Sequence, residues 1–128
     1  GKWIPDTPAR RKAIITRLSG WQPFSNSSPV EGIEAALRRF HAQDKRISLY
    51  VFGDDFARGS IETVVNTVAR LNRADKSGRR RVRIHTVGFP VLFGTGTGIP
   101  VNAMRYAALM RKLAETNGGS FVGLNSTR

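Results

Sequence analysis

Ile47-Ser48-Leu49-Tyr50-Val51-Phe52-Gly53-Asp54-Asp55 decides how the rest of this chain is read. Apart from Ser48, its first six residues are β-branched, aromatic or otherwise apolar, a composition that favours a strand. The lack of a polar face suits a parallel strand with helices on both sides. Gly53 stops the run, and two acids follow at the carboxyl end, where an open parallel sheet presents its ligands. Carboxylates at such a place can hold a hard divalent cation, directly or through water. The plainer role for either acid is to shape the turn or face solvent.

Working outward, helical signals flank this strand. Ser28-Pro29-Val30-Glu31 reads as a capping box with proline in the first turn, and Val30, Ile33, Leu37 and Phe40 recur on one face. Further upstream, Asp6 or Thr7 can cap a helix that has Pro8 in its first turn and ends at Gly20. Ala13, Ile14 and Leu18, with Trp21 beyond, give it a modest apolar side. Downstream, Ser60 caps a helix whose inward set is Ile61, Val64, Val65, Val68 and Leu71. Val82–Val87 is a second strand. Asn102 caps a fourth helix, with Tyr106, Met110 and Leu113 inward. Asn117-Gly118-Gly119 is a helix stop before a third strand, Ser120–Leu124. Strands alternating with helices imply right-handed crossovers and a parallel sheet. The expected class is α/β, a Rossmann-like three-layer α/β/α arrangement. Residues 1–20 form its helical lead-in and 21–128 its core, one domain in all.

Composition narrows the function. The chain has 128 residues, 40% of them hydrophobic and 23% charged, as a folded domain has. It has no cysteine, which excludes disulfides and thiolate metal sites. No apolar run approaches the roughly 20 residues of a membrane span. Gly1 in place of Met, with no signal segment after it, reads as the interior of a longer protein or a processed product. Twenty-one Lys and Arg against nine Asp and Glu leave a net charge of +12. Such a field attracts nucleic acid, anionic lipid or an acidic protein partner.

Other motifs weigh less. Arg79, Arg80 and Arg81 with Arg83 form a basic patch, but no aromatic residue adjoins them in sequence and the plain reading is a solvated turn. Nucleic acid is therefore not the favoured partner. Gly94, Gly96 and Gly98 punctuate a loop whose amides could cradle an anion weakly; the Gly-Lys-Ser/Thr of a P-loop is absent, and a rim loop is the plainer reading. His41 and His85 adjoin no nucleophile, and there is no Gly-x-Ser-x-Gly elbow. No catalytic set emerges, and the chain reads as a non-enzyme.

The order of a hydroxyl loop at 25–28, an amphipathic helix, Ile47–Asp55, a helix, Arg83–Phe89, a helix and Gly118-Gly119-Ser120-Phe121-Val122-Gly123-Leu124 resembles a von Willebrand factor type A domain. The likeness is to bacterial members in particular and covers about 21–124. It implies a protein–protein interaction module that binds its partner at the carboxyl-end face of the sheet, through a metal-ion-dependent adhesion site. Ser27 or Ser28 would be the hydroxyl part of that site and Asp54 its later acid, with Asp55 the second choice. Mg²⁺ or Mn²⁺ would be the ion, completed by an acidic residue of the partner. The family's Asp-x-Ser-x-Ser segment and first strand have no counterpart here. The chain thus matches the carboxyl-terminal two-thirds of such a domain, and its metal site is incomplete. Without that first strand Ile47–Phe52 becomes a sheet edge, which invites a homodimer. Two alternatives stand beside this reading: Mg²⁺-dependent phosphoryl transfer or hydrolysis at Asp54 and Asp55, and a basic nucleic-acid-binding domain.

Overall fold

The computed structural model describes residues 2–22, 28–42, 44–89 and 101–124. Its elements run α1 (Pro8–Ser19), α2 (Pro29–Phe40), β1 (Ile47–Gly53), α3 (Ile61–Leu71), β2 (Val82–Gly88), α4 (Val101–Thr116) and β3 (Phe121–Gly123). The three strands form one parallel sheet in the order β1-β2-β3, with Ile47 opposite Val82 and Thr86 opposite Phe121. The α/β, Rossmann-like class with a parallel sheet read from the sequence is the fold observed; of the three layers expected, the described residues form two, because α2, α3 and α4 share one core on one face of the sheet.

Local chemistry explains most boundaries. Thr7 Oγ1 accepts from the Arg10 amide at 3.2 Å and caps α1, while Asp6 pairs with Arg11 instead. Ser60 Oγ accepts from the Thr63 amide and caps α3. Asn102 lies inside the first turn of α4, not at its cap, because that helix already begins at Val101. Gly118 takes φ +67°, the left-handed step that ends α4. Gly119 then passes so close to β2 that a Cβ there would lie 2.0 Å from the Ile84 carbonyl oxygen. Only glycine lets β3 come in beneath that strand.

Burial divides the sheet into two unlike faces. In β2 the residues Val82, Ile84, Thr86 and Gly88 are buried. They meet Ile33 and Leu37 of α2, Val64, Val65 and Val68 of α3, and Tyr106, Leu109, Met110 and Leu113 of α4. The packed helices α2, α3 and α4 thus form one helical layer, with Thr86 Oγ1 donating to the Met110 carbonyl across it. The alternate residues Ser48, Tyr50 and Phe52 of β1 and Arg83 of β2 are exposed. Among the described residues the apolar side foreseen for α1 is not covered: that helix buries no residue, and Ile14 and Leu18 are exposed. Among the described strands β1 lies at one edge of the sheet. Ile47 donates to Arg81 and Gly53 accepts from Phe89, so the alternate residues Ser48, Tyr50 and Phe52 turn their backbone groups outward.

A polar knot closes the other end of the core. Asn72, at the end of α3, is fully buried. Its Nδ2 donates to the Val82 carbonyl at 2.7 Å and to Asn117 Oδ1 at 2.8 Å, and its Oδ1 accepts from the Val82 amide at 3.2 Å. Asn117 in turn donates to the Leu113 carbonyl. Arg80 surrounds this pair, donating to the carbonyls of Ala69, Asn72 and Thr116. One guanidinium and two amides thereby satisfy the carboxyl ends of two helices and pin the start of β2.

Replacing Asn72 with Ala strands the Val82 amide and the Asn117 amide oxygen in a dry interior, at about 1–3 kcal/mol for each orphaned group. We expect Asn72→Ala to lower unfolding free energy by roughly 3 kcal/mol in urea titrations, against less than about 0.5 kcal/mol for the exposed Asn66→Ala.

Candidate functional site

The carboxyl end of the sheet is built by the segment that leaves β1. Asp54 and Asp55 are both exposed, and the chain then dives inward at Phe56, which is 4% exposed. Gly59 takes φ +99° against the Phe56 ring, and Ser60 starts α3. Arg105 of α4 locks the segment from the side. Its guanidinium lies 5.3 Å from the centre of the Phe56 ring and donates to the Gly59 carbonyl. Two carboxylates are therefore displayed on a short loop tied at both ends. Phe56 is legible in sequence as the one aromatic in a polar loop; Arg105 carries no local signal, since its contact lies 46 residues away.

Tyr106 supports the same corner from below. Its ring lies beneath Gly53 and Gly88, and a Cβ on Gly53 would lie 2.9 Å from its hydroxyl. The hydroxyl donates to the Val87 carbonyl at 3.4 Å. Burial, and then the negative charge of Asp54, push the phenol up to about 12 from its ordinary 10.0. The acid after the strand and the tyrosine under it are thus electrostatically linked.

The expected site residues separate into groups. Ser28 sits at the amino end of α2, half-buried, and makes no capping hydrogen bond. The short connection 41–46 reverses the chain between α2 and β1, which brings Ser28 to the same end as Asp54 and Asp55. Ser27 lies outside the described residues, as do Gly94, Gly96 and Gly98. Among the described residues no three His, Asp or Glu side chains gather as a metal-holding group. Asp54, Asp55 and Ser28 offer oxygen donors of the right hardness for Mg²⁺ or Mn²⁺, but too few to fill its shell without water.

The arginines lie at the opposite, amino end of the strands. The Arg80 guanidinium is engaged by three helix-end carbonyls. Arg46, Arg79, Arg80, Arg81 and Arg83 line a groove of about 830 Å³ together with Asp75 and Glu115. Asp75 shapes the turn that leads there. Its carboxylate accepts from the Ser77 hydroxyl and from the amides of Ser77 and Arg79, which hold it below the usual carboxylate range. His85 is half-buried, stacked on Tyr50 and within 3.0 Å of Ser120 Oγ. The Ser120 hydroxyl is the side-chain group it faces.

A tyrosine is neutral when protonated, so its raised value means that folding favours the protonated phenol. That contribution is intact below pH 10 and is lost as the pH rises towards 12. Thermal melts at pH 8, 10 and 11.5 should show a steeper alkaline fall in Tm for the wild type than for Tyr106→Phe. Parallel curves would contradict the assignment.

No protein-family model matches the chain, and no curated protein matches it. Among solved structures it is similar to an aerotolerance-related membrane protein from Bacteroides fragilis NCTC 9343, crystallised with multiple mutations to serines. The two share 12% sequence identity and a TM-score of 0.55, over 90% of this chain. This chain spans 62% of that one. Among the described residues no helix is long and apolar enough to cross a membrane. At this identity the likeness carries the fold alone.

Proposed function

We propose that this chain is a von Willebrand factor type A-like interaction module that receives a protein partner at the carboxyl end of its sheet. The observation that carries the reading is the tied loop after β1. Phe56, Arg105 and Tyr106 hold Asp54 and Asp55 in fixed positions on solvent, which suits docking more than chemistry. The structural likeness supports the same fold family.

The two carboxylates make that rim negative in a chain of net charge +12. A bound Mg²⁺ or Mn²⁺ supplies a positive centre there that accepts a carboxylate oxygen from the partner. Asp54 would hold it, with Ser28 and water beside it and Asp55 as the second acid. The wider positive field draws the same acidic partner in at low salt. In this reading the ion bridges the chain to the partner's carboxylate; phosphoryl transfer would need a further acid or a lysine beside Asp54. The exposed backbone of Ser48, Tyr50 and Phe52 adds a second surface, along which two copies pair edge to edge.

Fluorescence anisotropy of a labelled Glu-rich peptide, with 5 mM Mn²⁺ or with EDTA, tests the site. We expect a Mn²⁺-dependent share of binding that disappears in Asp54→Ala, and no Asp54-dependent turnover of a phosphate ester in the same samples. Binding indifferent to both Mn²⁺ and Asp54 would remove the site. Light scattering of those samples should report a dimer that Ser48→Pro converts to a monomer, since proline at an outward position is tolerated in an edge strand but blocks pairing; a wild-type monomer would remove the edge contact.

A further inference from the structure

The sheet face turned away from the helices displays aromatic rings to solvent. Tyr50 and Phe52 are 60% and 59% exposed. Tyr50 stacks on His85 across the strand pair, with ring centres 4.9 Å apart and planes 17° from parallel. Phe52 stacks on Phe89 at 6.3 Å and 24°. Strand register continues this face downward: Tyr50 lies opposite His85, and two residues earlier Ser48 lies opposite Arg83. Arg83 therefore shares the aromatic face, at the end where Arg46, Arg79 and Arg81 line the basic groove. Among the described residues the three ion pairs are Asp6–Arg11, Glu34–Arg38 and Asp44–Lys45, and none uses these arginines.

The chain thus carries two costs side by side: wetted aromatic surface, and a groove in which arginines outnumber the acids Asp75 and Glu115. A ligand that relieves both must be a polyanion with flat, stackable groups. An acidic peptide answers the arginines but not the rings, and an apolar segment does the reverse. A duplex presents its phosphates but keeps its bases stacked inside. Single-stranded nucleic acid offers both, and exposed aromatics beside a basic groove are its usual receptor. We propose that the open face of the sheet binds single-stranded nucleic acid, with a base continuing the Tyr50–His85 stack and phosphates directed to Arg46, Arg81 and Arg83. Asp54 and Asp55 close the opposite end of the face by repelling phosphates. This site stands apart from the carboxyl-end loop and does not depend on the reading given to it.

The test is anisotropy of labelled 12-nucleotide oligo(U) and oligo(dT) with the full chain, between 50 and 200 mM salt. Heparin, a duplex of equal length and a Glu-rich peptide serve as competitors. Three neutralised phosphates give a slope of log K against log salt of about −2. Tyr50→Ala should weaken the oligonucleotides about ten-fold or more and leave heparin unchanged. Tyr50→Phe should restore them, and His85→Ala should weaken them too, which guards against a local effect at one strand position. Arg83→Gln should weaken oligonucleotides and heparin alike. Circular dichroism confirms the fold of each variant. Equal affinity for duplex, heparin and single strand, untouched by Tyr50→Ala, would overturn the proposal; so would binding of the peptide with none of either oligonucleotide.

Discussion

The fold hangs on one buried side chain. Asn72 ends α3, and its amide reads both backbone groups of Val82 as an adjacent strand would. The first residue of β2 is therefore paired from the helix side before the sheet begins. Because a strand's side chains alternate with period two, a slip of one residue would turn Val82, Ile84 and Thr86 away from the helices. The Asn72 clamp forbids that slip. Asn117 extends it to the end of α4, and Arg80 gathers the loose carbonyls of both helices. The arrangement is costly to disturb because Asn72 and Asn117 are buried, and no buried side-chain polar atom among the described residues is left without a partner.

From that register follows the division of labour in the domain. One sheet face is filled by three helices and the other holds Tyr50, Phe52, Arg83 and His85. The two strand ends also differ in charge. Asp54 and Asp55 stand at the carboxyl end, on a loop tied down by Phe56 and Arg105. Arg46, Arg79, Arg81 and Arg83 stand at the amino end. In a chain of net charge +12, the acidic pair at one end of the strands is set against these arginines at the other. The two proposed ligands divide along that polarity: a partner's carboxylate at the acidic corner with a divalent ion between, and phosphates at the basic end.

Much of this was legible in the residues. The strands around Leu49 and Ile84, the caps Thr7 and Ser60, and the stop at Gly118 all rest on local chemistry within a few residues, where sequence patterns are strongest. The inward set of α3 follows from its spacing alone. What was not legible depends on partners far along the chain. Asn72 and Asn117 lie 45 residues apart. Arg80 reads as one charge in a basic run until the helix ends arrive around it. The basic patch showed no aromatic neighbour in sequence, yet strand register brings Tyr50 and His85 into the same face as Arg83. The apolar side of α1 is a pattern in the sequence, and none of its residues is buried. For the site, the placement of Asp54 and Asp55 came from the strand-end rule, while the groups that steady them come from α4.

The claim on which the rest turns is that the helices bury one sheet face and leave the other open to solvent. The chain has no cysteine, so single cysteines report the two faces without background. The measurement is the alkylation rate of Phe52→Cys on the open face beside that of Val82→Cys on the buried one. Phe52→Cys should react at nearly the rate of an unstructured thiol, and Val82→Cys about a hundred-fold slower or more, limited by unfolding. Equal protection at both positions would contradict the claim, by showing that a layer already covers Tyr50 and Phe52.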